Sequence, residues 1–460
     1  MKKIITYITF ATSLLLAGQS CTDKFFEEYP SNKVTEGNFF QNKGDFDQSV
    51  RACYASLTGQ LAWDYNELAY RSDEAKLEDM TAGTVDRFAI DHFEEMASTG
   101  LLHDIWIAWY QGINRCNDVL DHIDGQKFDE ANVFEAEARF LRSWFYFKLY
   151  RTFGVVPLVK KVSSPAVALK TPRCTEAEMK KFLSDDLLFA AKNLPVNRPA
   201  EVGRVTQMAA KALYAKVLLT FKDYSEAEKV LSEIQTDSFY GLMPTTADVF
   251  LQANKMNKEM IFVVYFNNAT DSGHGAWWTT SSLVDIKNPT PLFREIYDAA
   301  KDNRYPLIAE YHKVSNTNYL MNKWYTTFDA VYTTSTTADF PHIRFADVVL
   351  MMAEALAQQG KVEDALPYLN KIRTRAGLAA LKFSEVSTKD AFIRALAEER
   401  GREFALEGQR WYDLVRLGLA VEYFSSLGNT IDNHNLLFPI PSTEIEIVAD
   451  KSILWQNPGF

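Results

Sequence analysis

Apolar residues recur at helical spacing along most of this chain, and the runs predict helices. Phe46–Leu57 is the first amphipathic run. Asp104–Ile123 keeps a strong helical period and closes at Gly125. Phe134–Phe153 is the clearest helix: Phe134, Ala138, Leu141, Phe145 and Leu149 form one stripe, and Gly154 with Pro157 stops it. Between the first two runs, Leu61–Gly100 mixes aromatic and charged residues without a period, which predicts an irregular loop.

The pattern also repeats. Ala357, Gly360, Ala365, Leu369 and Ile372 overlay Leu219, Lys222, Ala227, Leu231 and Ile234 without a gap, at a constant offset of 138 residues. Each copy reads as helix, tight turn and second helix, with a small residue (Ala365 or Ala227) letting the two approach. That is the logic of a tetratricopeptide pair, in which stacked pairs bury what one pair cannot. The material between the copies is not a run of further repeats, so scattered pairs are expected. Residues 236–340 differ in character, with a strand-like run at Met260–Phe266 and loops at Asn267–His274 and Thr333–Asp339. The expected fold is mostly α: a tetratricopeptide-like helical-pair scaffold bearing an irregular loop and short-strand insertion over 236–340. Insertions on one face of such a scaffold are usual places for binding.

Near the C-terminus, Ala397–Gly418 packs charge onto a helical period. Leu396, Phe404, Trp411 and Val415 make its apolar stripe. Glu398 with Arg402, Glu407 with Arg410 and Asp413 with Arg416 are spaced to pair along it. Gly401 and Gly408 each cost about 1 kcal/mol inside a helix. Either another backbone passes close by, or Gly408 ends one helix and the chain restarts at Arg410.

The first twenty residues read as a processing segment: Lys2 and Lys3, then the apolar run Ile4–Ala17, too short to span a bilayer. Cys21 follows, placed for lipid attachment after cleavage, although Gly18-Gln19-Ser20 departs from the usual leucine-led lipobox; an ordinary secretory signal is the alternative. No other segment approaches transmembrane length. The expected organisation is a signal over 1–20 and a single domain over 21–460. Cys53, Cys116 and Cys174 are an odd, widely spaced set, neither a disulfide framework nor a zinc motif; they read as buried small hydrophobes. A formal charge of −11 argues against nucleic acid as a partner.

Several strings, in order along the chain, resemble the SusD/RagB family. These are the Phe134–Phe153 helix followed by GVVPLV, His342–Gly360 (HIRFADVVLMMAEALAQQG), and Asn370–Leu378 (NKIRTRAGL). Then come Glu399-Arg400, Arg402-Glu403-Phe404, Glu407-Gly408, Arg410-Trp411, Asp413-Leu414 and Arg416, and finally Leu437–Pro441 and Gln456–Phe460. Asp23, Glu27 and Glu28 after Cys21 are weakly similar to surface-export signals of Bacteroidetes lipoproteins. The resemblance implies an outer-membrane lipoprotein exposed on the cell surface. Such a protein captures a nutrient, most often a glycan, and hands it to a SusC-like TonB-dependent transporter. It implies binding without catalysis, and no cofactor is expected.

Glu403 and Glu407 at i, i+4 approach the carboxyl separation of a retaining glycosidase. Arg400, Arg402 and Arg410 around them are expected to depress both pKa values, whereas a catalytic acid needs a raised one. No metal spacing among the histidines, GxSxG, Walker loop or GxGxxG occurs. Aromatics that no stripe claims are better candidates, because sugars offer flat C–H faces to rings and hydroxyls to polar neighbours. Trp277 and Trp278 stand in a glycine-bearing loop. Trp63, Tyr65 and Tyr70 fall in the first irregular stretch. Arg87 and Phe88 are added by the resemblance, since family ligand loops commonly lie between the first two helices. Trp324 and Tyr325 read as core.

Overall fold

The computed structural model describes residues 39–77, 80–81, 83–266, 295–309, 311–313, 319–321, 323 and 339–460. The chain divides into two compact units at Gln48 and Ser49. Helices α1 (Lys43–Ala69), α2 (Val85–Asp91), α3 (Gly100–His122), α4 (Ala131–Phe153), α5 (Glu176–Asn193), α6 (Gln207–Thr220) and α7 (Tyr224–Gln235) precede strands β1 (Met260–Val264) and β2 (Phe340–Arg344). Helices α8 (Phe345–Gln358), α9 (Val362–Arg375), α10 (Lys389–Glu403), α11 (Arg410–Arg416) and α12 (Ala420–Ser426) follow. Among the described residues, no helix is long and apolar enough to cross a membrane.

From α3 to α10 each of these helices packs on the next in one continuous stack. The predicted stripe of α4 understates its burial. Helix α4 buries residues on nearly every face, Arg142 and Lys148 among them. Arg142 is affordable there because its Nε and Nη2 donate to Asp186 at 2.9 and 3.0 Å and its Nη1 to Asn117 Oδ1 at 2.9 Å. Gly154, at φ 75°, ends the helix as expected.

The two repeat copies are α6–α7 and α8–α9, and they are not scattered: α7 lies directly against α8. The sequence between Gln235 and Phe345 separates the two copies along the chain but not in space. Local periodicity carries no information on such a long-range contact. The two turns match bond for bond. Lys222 and Asp223 donate to the carbonyls of Leu219 and Leu218 (3.1 and 2.8 Å), as Gly360 and Lys361 do to Ala357 and Leu356 (2.9 and 3.0 Å). Ala227 and Ala365 are both fully buried at the helix contact.

Strands β1 and β2 pair antiparallel, with Met260 opposite Arg344 and Val264 opposite Phe340. The pair lies on α4: the Phe262 ring meets Phe140 at 4.9 Å and Trp144 at 5.1 Å. His342 sits among Trp144, Phe262 and Phe340. Burial, then the charges of Lys148, Arg151 and Lys216, holds its imidazole well below the usual range and therefore neutral.

The irregular loop expected over Leu61–Gly100 is partly helix. Helix α1 continues through Trp63 and Tyr65 to Ala69, and α2 forms within the remainder.

The shared turn needs a left-handed residue, supplied by Gly360 at φ 81° and by Lys222 at φ 60°. An L-residue there costs about 1 kcal/mol. Lys222→Gly is expected to stabilise the protein by about 0.5–1 kcal/mol and Gly360→Ala to destabilise it by about 1 kcal/mol, read as opposite shifts of the urea midpoint. Shifts of one sign would contradict the equivalence of the two turns.

Candidate functional site

Helix α10 ends at Glu403, and Leu406 (φ 58°) and Gly408 (φ 69°) turn the chain before α11 restarts at Arg410. Of the two sequence readings, the interrupted one holds, with the break placed a turn earlier. The pairs Glu398–Arg402 and Asp413–Arg416 form as spaced, at 3.0 and 2.8 Å. Glu407–Arg410 does not, because no helical geometry joins them. Gly401 makes room for a side chain rather than a backbone: a Cβ there would lie 2.9 Å from Nη1 of Arg410.

The freed Glu407 and its neighbour Glu403 enter a buried ionic cluster centred on Arg344, at the junction of β2 and α8. All five N–H donors of Arg344 are used. Nε and Nη2 reach Glu407 at 2.8 Å, Nη1 reaches Glu259 and Glu403 at 2.6 and 3.0 Å, and Nη2 also reaches the Glu403 carbonyl at 2.8 Å. Arg375 adds bonds to Glu403 and to Glu259, the latter at 2.8 Å. Arg304 joins Asp302 to Glu403, and Lys323 binds Glu407 at 2.8 Å. Burial pushes the Glu403 carboxyl up, but Arg375, Arg344 and Arg304 outweigh it and hold it well below the usual carboxylate range. The direction matches the sequence reading; the arginines responsible are different ones. Both carboxylates are enclosed and paired with cations, and Glu403 is thereby the opposite of a protonated catalytic acid.

Glu74 behaves otherwise. It is buried, its Oε1 accepts from the amide of the left-handed Leu406 at 2.9 Å, and burial pushes its carboxyl up to about 8. Its neighbour Asp73 takes the cation instead: Arg410 Nε and Nη2 donate to it at 2.8 and 3.1 Å, and Tyr423 Oη at 2.6 Å.

A cleft of about 870 Å³ opens between α1, the turn Glu201–Arg204 and the residue after β1. Arg51, Tyr54 and Thr58 line it from α1, and Gly203, Arg204 and Tyr265 face them. Tyr265 lies directly on Gly203, where a Cβ would approach its Cβ to 2.8 Å. Lys255 Nζ stands 4.8 Å from the centre of the Tyr265 ring. The same ammonium donates to Asp339 Oδ1 at 2.6 Å and to the Phe266 carbonyl at 2.8 Å, and Asp339 accepts from the Phe266 amide at 3.0 Å. Lys255 and Asp339 thus clasp the outgoing and returning chain at the root of the insertion. Tyr54 is fixed by the Val205 amide, which donates to its hydroxyl at 3.0 Å. Arg204 is braced by Glu137 on α4, at 3.1 Å. Two smaller clefts, of about 490 and 370 Å³, are lined by no residue of the 236–340 segment.

Trp277 and Trp278, like Trp324, Tyr325 and Cys21, lie outside the described residues. Trp277 and Trp278 follow Tyr265 by about one loop's length of chain. Trp63 and Tyr65 stand on α1, one to two turns beyond Thr58 of the cleft, rather than in a loop. Tyr70 is buried, 1% exposed, and presents no face to solvent. Arg87 and Phe88 are half-buried on α2, where Phe88 stacks on His92 with centroids 3.8 Å apart. Tyr265, Arg51 and Tyr54, which no sequence signal singles out, line the cleft together. Met260–Phe266 is apolar throughout and buried along the whole strand, so nothing in its pattern sets Tyr265 apart. Among the described residues, no three His, Cys, Asp or Glu side chains gather as a metal site.

Two outcomes follow from the charges. Arg344→Met leaves Glu259, Glu403 and Glu407 short of a cation and is expected to cost about 3–5 kcal/mol of stability, measured by denaturant unfolding; a loss below about 1 kcal/mol would contradict the role given to Arg344. For Glu74, the folded carboxyl keeps a proton up to about pH 8 while the unfolded one loses it near its ordinary value. Stability therefore falls as pH rises through that window. Glu74→Gln, which keeps an acceptor for Leu406, is expected to stabilise the protein by about 1–3 kcal/mol at pH 8 and little at pH 4. Destabilisation that grows from pH 4 to pH 8 would show instead that Glu74 works as a carboxylate.

The family model described as "SusD family" matches residues 303–436, and the one described as "Starch-binding associating with outer membrane" matches residues 24–219. Over 520 aligned residues the chain is 27% identical to SusD-like protein P2 of Formosa agariphila, covering all of both chains. A SusD-like protein from Bacteroides fragilis superposes with a TM-score of 0.79 at 22% identity, over 94% of this chain and 100% of the other. A laminarin-binding SusD-like protein superposes with a TM-score of 0.74 at 25% identity, over 91% of this chain and 100% of the other. The helical stack, the buried arginine cluster built from the C-terminal signature, and these matches agree: the chain belongs to the SusD/RagB family.

Proposed function

We propose that this protein captures a glycan or oligosaccharide at the cell surface and delivers it to a SusC-like TonB-dependent transporter. The cleft carries the reading. Tyr265 offers a ring seated on Gly203, Arg51 and Thr58 offer polar groups across from it, and the chain beyond Tyr265 leads into the stretch that holds Trp277 and Trp278. Rings for C–H faces and polar groups for hydroxyls are what an oligosaccharide requires. The relative named for laminarin binding and the family description that names starch support a carbohydrate as the ligand class.

In this reading residues 1–20 are a signal peptide, Cys21 carries the lipid that holds the protein at the outer membrane, and residues 21–460 form one domain. The 236–340 segment bears the aromatic contacts to ligand, α1 supplies the polar groups across from them, and the helical stack supplies the transporter contact. Binding proceeds without chemistry. The pairing of Glu403 with buried arginines supports this, since its carboxyl is held ionised and is not poised to protonate a glycosidic oxygen.

A glycan-array screen followed by calorimetry on the best ligand tests the proposal. Tyr265→Ala is expected to weaken binding about tenfold, corresponding to about 1.4 kcal/mol of lost ring contact. Trp277→Ala and Trp278→Ala test the neighbouring segment, with at least one of them weakening binding. An array without a glycan ligand, or full affinity in all three variants, would contradict the reading.

A further inference from the structure

Cys53 on α1 and Cys116 on α3 are both fully buried, and they are neighbours. The thiol of Cys116 lies within hydrogen-bonding reach of that of Cys53. Contacts on either side of the pair fix the two helices in register: Arg115 Nη1 donates to the Ala52 carbonyl at 3.3 Å and to Ser56 Oγ at 2.9 Å. Residues 52 and 56 of one helix are thus bonded to residue 115 of the other, and Cys53 and Cys116 are the next residues along those two helices. Cys174 is set apart from this helix contact, its amide bonded to the Val156 carbonyl at 3.1 Å. The odd number of cysteines divides into one adjacent pair and one single thiol.

We propose that Cys53 and Cys116 join as a disulfide in the exported protein, tying α1 to α3. The oxidant is a disulfide of the exchange type, RSSR. One cysteine, as thiolate, attacks it and releases RS⁻; the second then attacks the mixed disulfide and releases another RS⁻. The balance is two protein thiols and RSSR giving one protein disulfide and two RSH. Secreted and surface compartments sustain such bonds, and to that extent the proposal rests on the export reading above. Burial pushes the Cys116 thiol well up, so the closed core is a poor nucleophile. The exchange therefore takes place while the chain folds, and the finished bond is shielded from reductant. The bond holds the cleft as well as the core, because Arg51 and Tyr54 flank Cys53 on α1.

The full chain with Cys21→Ala, unfolded and reduced, is refolded with reduced and oxidised glutathione. It is then alkylated in denaturant and mapped by mass spectrometry without reduction. The expected result is a Cys53–Cys116 cross-linked peptide with Cys174 alkylated, and a melting temperature about 5 °C or more above that of the reduced protein. Three alkylated cysteines, or a cross-link that includes Cys174, would overturn the proposal. Cys116→Ala serves as the control that folds without the bond and lacks the cross-link. In cells, an exported chain with free Cys53 and Cys116 would likewise overturn it. A chain retained in the cytoplasm would overturn the export reading instead, leaving the refolding result to decide the bond.

Discussion

Arg344 is the constraint on which the rest of the structure depends. It stands where β2 becomes α8, so the chain returning from the insertion meets the helical stack at this residue. Its guanidinium holds Glu259 before β1, Glu403 at the end of α10 and Glu407 in the following turn. Arg375 from α9 and the Asp302–Arg304 and Lys323 contacts complete the set. Burying so many charges is not obviously more stabilising than burying hydrocarbon of equal volume. What the cluster supplies is uniqueness, since a shifted register of β1 on β2 would leave carboxylates and guanidiniums unpaired in the core.

That constraint reaches the cleft through a short chain of contacts. With Glu259 and Arg344 fixed, β1 must run across Phe140 and Trp144 of α4 and deliver Tyr265 to Gly203. The Lys255–Asp339 clasp then closes the root of the excursion just beyond. The cleft is thereby mounted on a set of buried ion pairs. A second set, Lys216–Asp347–Arg400–Asp413–Arg416, links α6, α8, α10 and α11 in the same manner. The charge density of the C-terminal stretch is thus an internal framework rather than a solvated face.

The helices were legible because their signal is local. Helices α3 and α4 and both repeat turns follow from spacing within a few residues, down to the match of Lys222 with Gly360. What sequence could not show was non-local. Arg410 finds Asp73, and Glu407 finds Arg344 and Lys323, across hundreds or tens of residues with no spacing to announce the match. The nearest charged neighbour, at i+3 or i+4, was the wrong partner wherever the helix broke. Helix α1 was cut short in prediction because Trp63 and Tyr65 fall outside an obvious stripe, although they continue the same helix. Tyr265 was hidden in a run that read as uniformly buried strand, and only its seat on Gly203 distinguishes it.

Native-state hydrogen exchange on the unmodified protein tests the central claim most directly. If the Arg344 cluster locks the strand pair to the stack, the amides of β1 and the Phe345 amide bonded to the Glu259 carbonyl should exchange only through global unfolding, as slowly as those of α4. Exchange of β1 and Phe345 through a local opening, while α4 stays protected, would contradict it.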